Sequence, residues 1–132
     1  MRKVRLMPRH AFRSAVERGD TEAALALLAE DVVFRSPAVF KPYNGRETVA
    51  KILRAVFDVL EDLRYTDELD GPEVHGLLFE ARVGDRELQG IDLLRRDADG
   101  QISEFTVMIR PATGLIAVAE RMGPALEAAG VR

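Results

Sequence analysis

The chain contains no cysteine. Disulfide frameworks, thiolate zinc sites, iron–sulfur clusters and cysteine nucleophiles are thereby excluded. Histidine is nearly as scarce: only His10 and His75 occur among 132 residues, too few for a histidine-rich metal site. Long hydrophobic runs are missing as well. The longest unbroken apolar stretch, residues 23–29, is far short of a membrane span. Arg2, Lys3 and Arg5 lead into Pro8-Arg9-His10 rather than an apolar segment, so no secretory signal is expected. A net charge of −3 gives no general attraction to nucleic acid or anionic lipid. What remains has 47% hydrophobic and 31% charged residues, the balance of an ordinary soluble globular protein, and a cytoplasmic location is expected. A single domain over residues 1–132 is expected, with a core over 9–110 and a helical tail over 112–129.

The hydrophobic pattern changes period along the chain. Phe12, Ala15 and Val16 lie at helical spacing, and Gly19 stops that helix. Asp20 can cap a second helix that runs through Leu25, Leu27 and Leu28 to Glu30-Asp31. Val32-Val33-Phe34 reads as a short strand closed by Pro37. Asn44 and Glu47 make a capping-box pattern before a long helix with Val49, Ile52, Leu53, Val56, Phe57 and Leu60 on one stripe. Strands are then expected over 65–69, 74–83, 88–95 and 102–110, with turns at Asp70-Gly71-Pro72, Gly84-Asp85 and Asp97–Gly100. Leu115, Val118 and Met122 mark a final helix, which Gly123-Pro124 should break or kink. Helices followed by an antiparallel meander is an α+β arrangement.

Strand parity gives a first estimate of which side chains share a face. A tight hairpin at Asp97–Gly100 would bring Asp92 near Thr106, Gly90 near Met108 and Leu88 near Arg110. Ile91, Leu93, Phe105, Val107 and Ile109 would occupy the other face, also strongly apolar. A sheet apolar on both sides needs two covers, helices on one and a second copy of the chain or the final helix on the other. A homodimer packed through the sheet is therefore expected. Asp92 is the unusual residue, a carboxylate between Ile91 and Leu93 in mid-strand. It either has a raised pKa or a partner, and Arg110 is the cation on its expected face. His75 would share that face if the Gly84-Asp85 turn is tight, although a histidine at a strand end is more often simply solvated. His10 has no partner in sequence and is expected to be exposed.

Several stretches in order resemble a known family. These are Gly19-Asp20 between two helices, Asp31-Val-Val-Phe-Arg-Ser-Pro37, Asn44-Gly-Arg-Glu47, Gly90-Ile-Asp-Leu-Leu-Arg95 and Asp99-Gly-Gln-Ile102. Together they resemble the NTF2-like superfamily, and within it the SnoaL-like and ketosteroid-isomerase-like proteins, over residues 9–110. The resemblance implies a cystatin-like, cone-shaped α+β roll: three helices around a curved antiparallel sheet, an enclosed apolar pocket, and usually a dimer. In ketosteroid isomerases a first-helix tyrosine and a late-strand aspartic acid bind the developing oxyanion, and a second aspartate moves the proton. Asp92 matches the late-strand acid, but the base position falls at Ser36 and the tyrosine position at Phe12. A lone serine hydroxyl is no general base near neutral pH and a phenyl ring donates nothing, so isomerisation by that mechanism is not expected. SnoaL-like cyclases are similar in using a pocket acid or histidine, roles open to Asp92 and His75. Limonene-epoxide-hydrolase-like relatives use an Asp–Arg–Asp set, of which Asp92 and Arg110 supply two, with Asp67 the nearest further carboxylate.

The expected ligand is a mostly apolar small molecule bearing oxygen functions. Asp92, Arg110 and His75 are the candidate catalytic groups. Phe12, Phe34, Ser36, Tyr43, Val56, Leu60, Phe79 and Met108 are the candidate wall. Tyr43 sits in the Pro-flanked loop at the expected mouth, and Tyr65 reads as a core tyrosine with its hydroxyl at an edge. No metal-ligand spacing, phosphate cradle or calcium loop occurs, so no cofactor is expected. Nucleic acid and membrane are not expected partners. A non-catalytic ligand-binding or dimerisation module, with Asp92 and Arg110 as a structural pair, is the alternative.

Overall fold

The computed structural model describes residues 9–131; Arg2, Lys3 and Arg5 lie outside them. Ten elements follow in order: α1 (Ala11–Glu17), α2 (Thr21–Leu25), β1 (Leu28–Arg35), β2 (Tyr43–Asn44), α3 (Arg46–Val59), β3 (Glu61–Asp70), β4 (Val74–Val83), β5 (Arg86–Arg96), β6 (Ile102–Arg110) and α4 (Ala112–Ala128). The strands form one curved sheet in the order β2-β1-β6-β5-β4-β3. The sheet is mixed rather than purely antiparallel, because β1 runs parallel to β6. These two strands are far apart in the chain, so no hairpin constrains their direction.

Several expectations need correction. The second helix ends early, because Leu28 and Ala29 are buried in β1 and the Ile102 N–H donates to the Leu27 carbonyl at 2.9 Å. Strand pairing there overrides helix propensity. Asn44 does not cap α3. As part of β2 it pairs with Val33 of β1, and Gly45 at φ +94° makes the bend into the helix. Pro124 does not break α4, which continues to Ala128. Pro124 and Glu120, whose carbonyl it leaves without a helical donor, are both exposed, so water can satisfy the gap.

His10 is not a free surface residue. Its Nδ1 accepts from the Phe12 N–H at 3.0 Å, capping α1, and its ring lies 4.8 Å from that of His75. Burial, then the neighbouring His75 and Arg96, hold the His10 pKa below its ordinary 6.5, against the opposing pull of Glu68 and Asp70. Protonation would place a hydrogen on the accepting nitrogen and a charge at the positive end of a helix. A depressed histidine pKa contributes stability above 6.5 that is lost as pH falls through the folded-state value. His10→Ala is therefore expected to cost about 1 kcal/mol at neutral pH. Its gap from the native chain should narrow in acid. Urea denaturation at two pH values checks both statements, and a gap that widens in acid would sink the assignment.

Candidate functional site

A cavity of about 350 Å³ opens between the inner face of the sheet, α3, α4 and the loop that follows β1. Each wall has a sequence cause. The apolar stripe of α3 contributes Ile52, Leu53, Val56, Phe57 and, at its end, Leu60; α4 contributes Leu115, Val118, Met122 and Leu126. Alternation on β5 and β6 turns Asp92, Phe105, Val107 and Ile109 inward. The Ser36–Val39 segment and Tyr43 form the remaining rim, and Phe40 beside them is fully exposed.

Asp92 lies on this wall with 7% of its surface accessible. It pairs across the strands with Leu77 on one side and Val107 on the other. Among the described residues no cation lies within ion-pairing distance of it. Burial pushes its pKa up from 3.8 to about 7, partly offset by a hydrogen bond from the Tyr65 hydroxyl to Oδ2, long at 3.4 Å. Burial, and then the Asp92 charge, raise the Tyr65 pKa as well, so its hydroxyl keeps its proton. The site therefore holds one titratable carboxyl near neutrality with one neutral donor, Tyr65, beside it.

The remaining candidates divide. Phe34, Ser36, Tyr43, Val56, Leu60 and Phe79 line the cavity with Asp92. Phe12 does not; it is fully buried behind the wall, with its ring 5.2 Å from that of Phe105. Arg110 and Met108 lie on the opposite face of the sheet, where Arg110 pairs with Gln89 and Met108 with Ile91. The cause is a bulge. Arg96 pairs with Ile102, but Arg95 pairs with Glu104, leaving Ser103 as an extra residue in β6. From there every side chain of β6 is inverted relative to the unbulged register. Phe105, Val107 and Ile109 thus join Asp92 inside, while Thr106, Met108 and Arg110 go outside. Arg110→Ala is expected to leave ligand affinity within about twofold; a larger loss in a titration would contradict this placement.

His75 does share the inner face with Asp92, since Gly84-Asp85 forms a two-residue turn between the paired Val83 and Arg86. It does not line the cavity and is not solvated. Its Nε2 lies 2.6 Å from Glu68 and its Nδ1 3.0 Å from Asp70, with 6% of its side chain accessible. Glu68 also accepts from the His10 N–H and from Arg13. These donors hold its pKa low although burial acts to raise it. A second bulge lies between this clasp and Tyr65. Tyr65 pairs with Phe79 but Asp67 with Leu78, so Thr66 is the extra residue in β3. Tyr65, Glu68 and Asp70 therefore lie opposite inward-facing partners, and Asp67 is left exposed. The sequence marks Tyr65 only as a core tyrosine with its hydroxyl at an edge, yet that hydroxyl is the one beside Asp92. The available signal was cross-strand: β3 needed one extra residue to place it opposite Phe79.

The family model for the SnoaL-like domain matches residues 9–105. The chain belongs to the SnoaL-like domain family. Among solved structures, the SnoaL-like domain is similar to a steroid delta-isomerase from Pseudomonas aeruginosa, with 44% identity over 88% of this chain and 86% of that one, at a TM-score of 0.83. It is also similar to an uncharacterized conserved bacterial protein with a cystatin-like fold from Silicibacter pomeroyi, at 32% identity, 89% and 83% coverage and a TM-score of 0.83. An NTF2-like protein of unknown function from Burkholderia pseudomallei, 18% identical over 82% and 92% at a TM-score of 0.65, shares the fold alone. No curated protein gives a significant match. Among the described residues no group of three or more metal-ligating side chains is disposed to hold an ion, and no helix is long and apolar enough to cross a membrane.

Proposed function

We propose that the cavity holds a mostly apolar, oxygen-bearing small molecule and that Asp92 moves a proton on it. The observation that carries this reading is a single carboxylate in a mainly apolar cavity, with a pKa of about 7. A group titrating there can both accept and return a proton at cellular pH. The reaction favoured is a proton shift beside a carbonyl. The Asp92 carboxylate takes a proton from the carbon next to the carbonyl, the electron pair passes to the oxygen, and the Tyr65 O–H stabilises that oxygen. Asp92 then returns the same proton to a carbon further along the conjugated system, so one carboxylate suffices. The similarity to a protein described as a steroid delta-isomerase supports this class over the others. The Asp–Arg–Asp set of an epoxide hydrolase is not assembled, because Arg110 and Asp67 face away. His75 is engaged by two carboxylates outside the cavity and offers no second acid–base group to a cyclase.

Ser36 lines the cavity, but its Oγ accepts from the Ala38 N–H at 3.1 Å and has no adjacent base. Proton transfer is accordingly assigned to Asp92 and not to position 36. The test is conversion of unsaturated cyclic ketones, steroids among them, followed by ultraviolet absorbance as the double bond moves into conjugation. Ser36→Ala should retain conversion and Asp92→Asn should lose it. A second reading, ligand binding without chemistry, draws on the absence of a donor or base at Phe12 and Ser36. It is supported if Asp92→Asn leaves binding intact and the native chain converts none of the ketones it binds.

We further propose that the chain forms a homodimer through the outer face of the sheet. Leu78, Ile91 and Leu93 lie there with Met108, which is 55% exposed, an apolar surface suited to a second copy. Sedimentation at micromolar concentration should give a dimer. A clean monomer would overturn this.

A further inference from the structure

The cavity combines two features that a neutral oxygen-bearing ligand uses only in part. Of the chain's six phenylalanines and two tyrosines, Phe34, Tyr43, Phe57, Tyr65, Phe79 and Phe105 line it. The carboxylate among them lacks a cationic partner among the described residues. On the Tyr65 side the Arg13 guanidinium lies 5.9 Å from the centre of the Tyr65 ring. It is already committed, to Glu17 at 3.2 Å and Glu68 at 3.2 Å. A buried carboxylate is costly when ionised, and a counter-ion brought by a ligand offsets that cost. Aromatic faces attract cations within about 6 Å of the ring centroid, most strongly where water is excluded.

We propose that the cavity also binds lipophilic ammonium ions, with the Asp92 carboxylate as counter-ion and the aromatic wall around the cation. The ligand class is a compact hydrocarbon carrying one protonated amine. Such a ligand pairs with the ionised form of Asp92, the form that takes up a proton in the reaction proposed above, so an amine should compete with a ketone substrate. The inference needs the cavity and its carboxylate but not catalysis.

The test uses 1-adamantanamine and 1-adamantanol, nearly identical in shape and differing in charge, titrated calorimetrically into the full chain at about pH 8. The amine should bind at least about tenfold more tightly than the alcohol. In Asp92→Asn that preference should vanish, while the alcohol still binds, which shows that the cavity has kept its form. Equal or tighter binding of the alcohol by the native chain, no binding of the amine, or a preference that survives in Asp92→Asn would each overturn the proposal. Its failure is separable from that of the catalytic reading, since ketone conversion dependent on Asp92 could persist without amine binding. Amine binding could equally be found in a chain that converts nothing.

Discussion

Replacing Asp92 by asparagine is expected to lower conversion by about 10²–10⁴-fold, the span typical of a lost general base, while making the fold more stable above neutral pH. The two effects share one cause. Burial raises the carboxyl pKa from 3.8 in the unfolded chain to about 7 in the folded one. A raised pKa means that folding favours the protonated form. The contribution of Asp92 to stability is fully present below pH 3.8, declines as pH rises, and is lost once pH passes about 7. At about 1.36 kcal/mol per pKa unit the loss at pH 8 approaches roughly 4 kcal/mol. Asparagine carries no charge and still accepts from Tyr65, so the variant should escape that loss. Denaturant midpoints measured from about pH 4 to pH 8 should therefore diverge, the native chain falling relative to the variant. Parallel curves would show that Asp92 is not buried as an ionisable group. A structural ion pair with Arg110 predicts the opposite sign, destabilisation on substitution, but Arg110 lies on the other face of the sheet.

Much of this arrangement was legible in the residues, and the rest was hidden for an identifiable reason. Gly84-Asp85 marks a two-residue turn, and the pairing of Val83 with Arg86 follows from it. Asp20 was expected to cap the second helix, and its Oδ1 does accept from the Ala23 N–H at 3.0 Å. The α3 stripe and the inward Asp92 also follow from periodicity. What alternation cannot reveal is an inserted residue. Neither Ser103 nor Thr66 differs in type from an ordinary strand residue, yet each reverses the facing of everything beyond it. Arg110 and Met108 were misplaced by the first bulge. The second concealed Tyr65, which lies beyond it from the turn. The carboxylate clasp on His75 lies on the turn side of that bulge, where Asp70 pairs with His75 and Glu68 with Leu77 in the register the turn sets.

Gly90→Ala is the second substitution expected to have a large effect, and it tests the wall rather than the chemistry. Gly90 pairs with Phe79 on β4 and with Ile109 on β6, and it precedes Asp92 on the same face of β5. A methyl group there would land on the Phe79 ring at Cζ and Cε2, and 2.8 Å from the Met108 carbonyl oxygen. The ring has no room to turn aside, because Phe79 is 2% exposed and packs edge-on against Tyr65 with centroids 6.4 Å apart. The carbonyl belongs to a paired strand and cannot retreat without disturbing the ladder. Overpacking of this kind costs typically 1–3 kcal/mol, and about 3 kcal/mol is expected here because backbone as well as side chain is met. Any displacement of Phe79 passes to Tyr65 and so to the hydroxyl beside Asp92, so ligand affinity should fall with stability. Phe79→Leu in the same chain removes the ring and should recover part of the lost stability, making the pair strongly non-additive in a double-mutant cycle. Additive effects, or a Gly90→Ala chain as stable as the native one, would show that Phe79 does not rest on Gly90. The close approach of ring to glycine would then not be what shapes this side of the cavity.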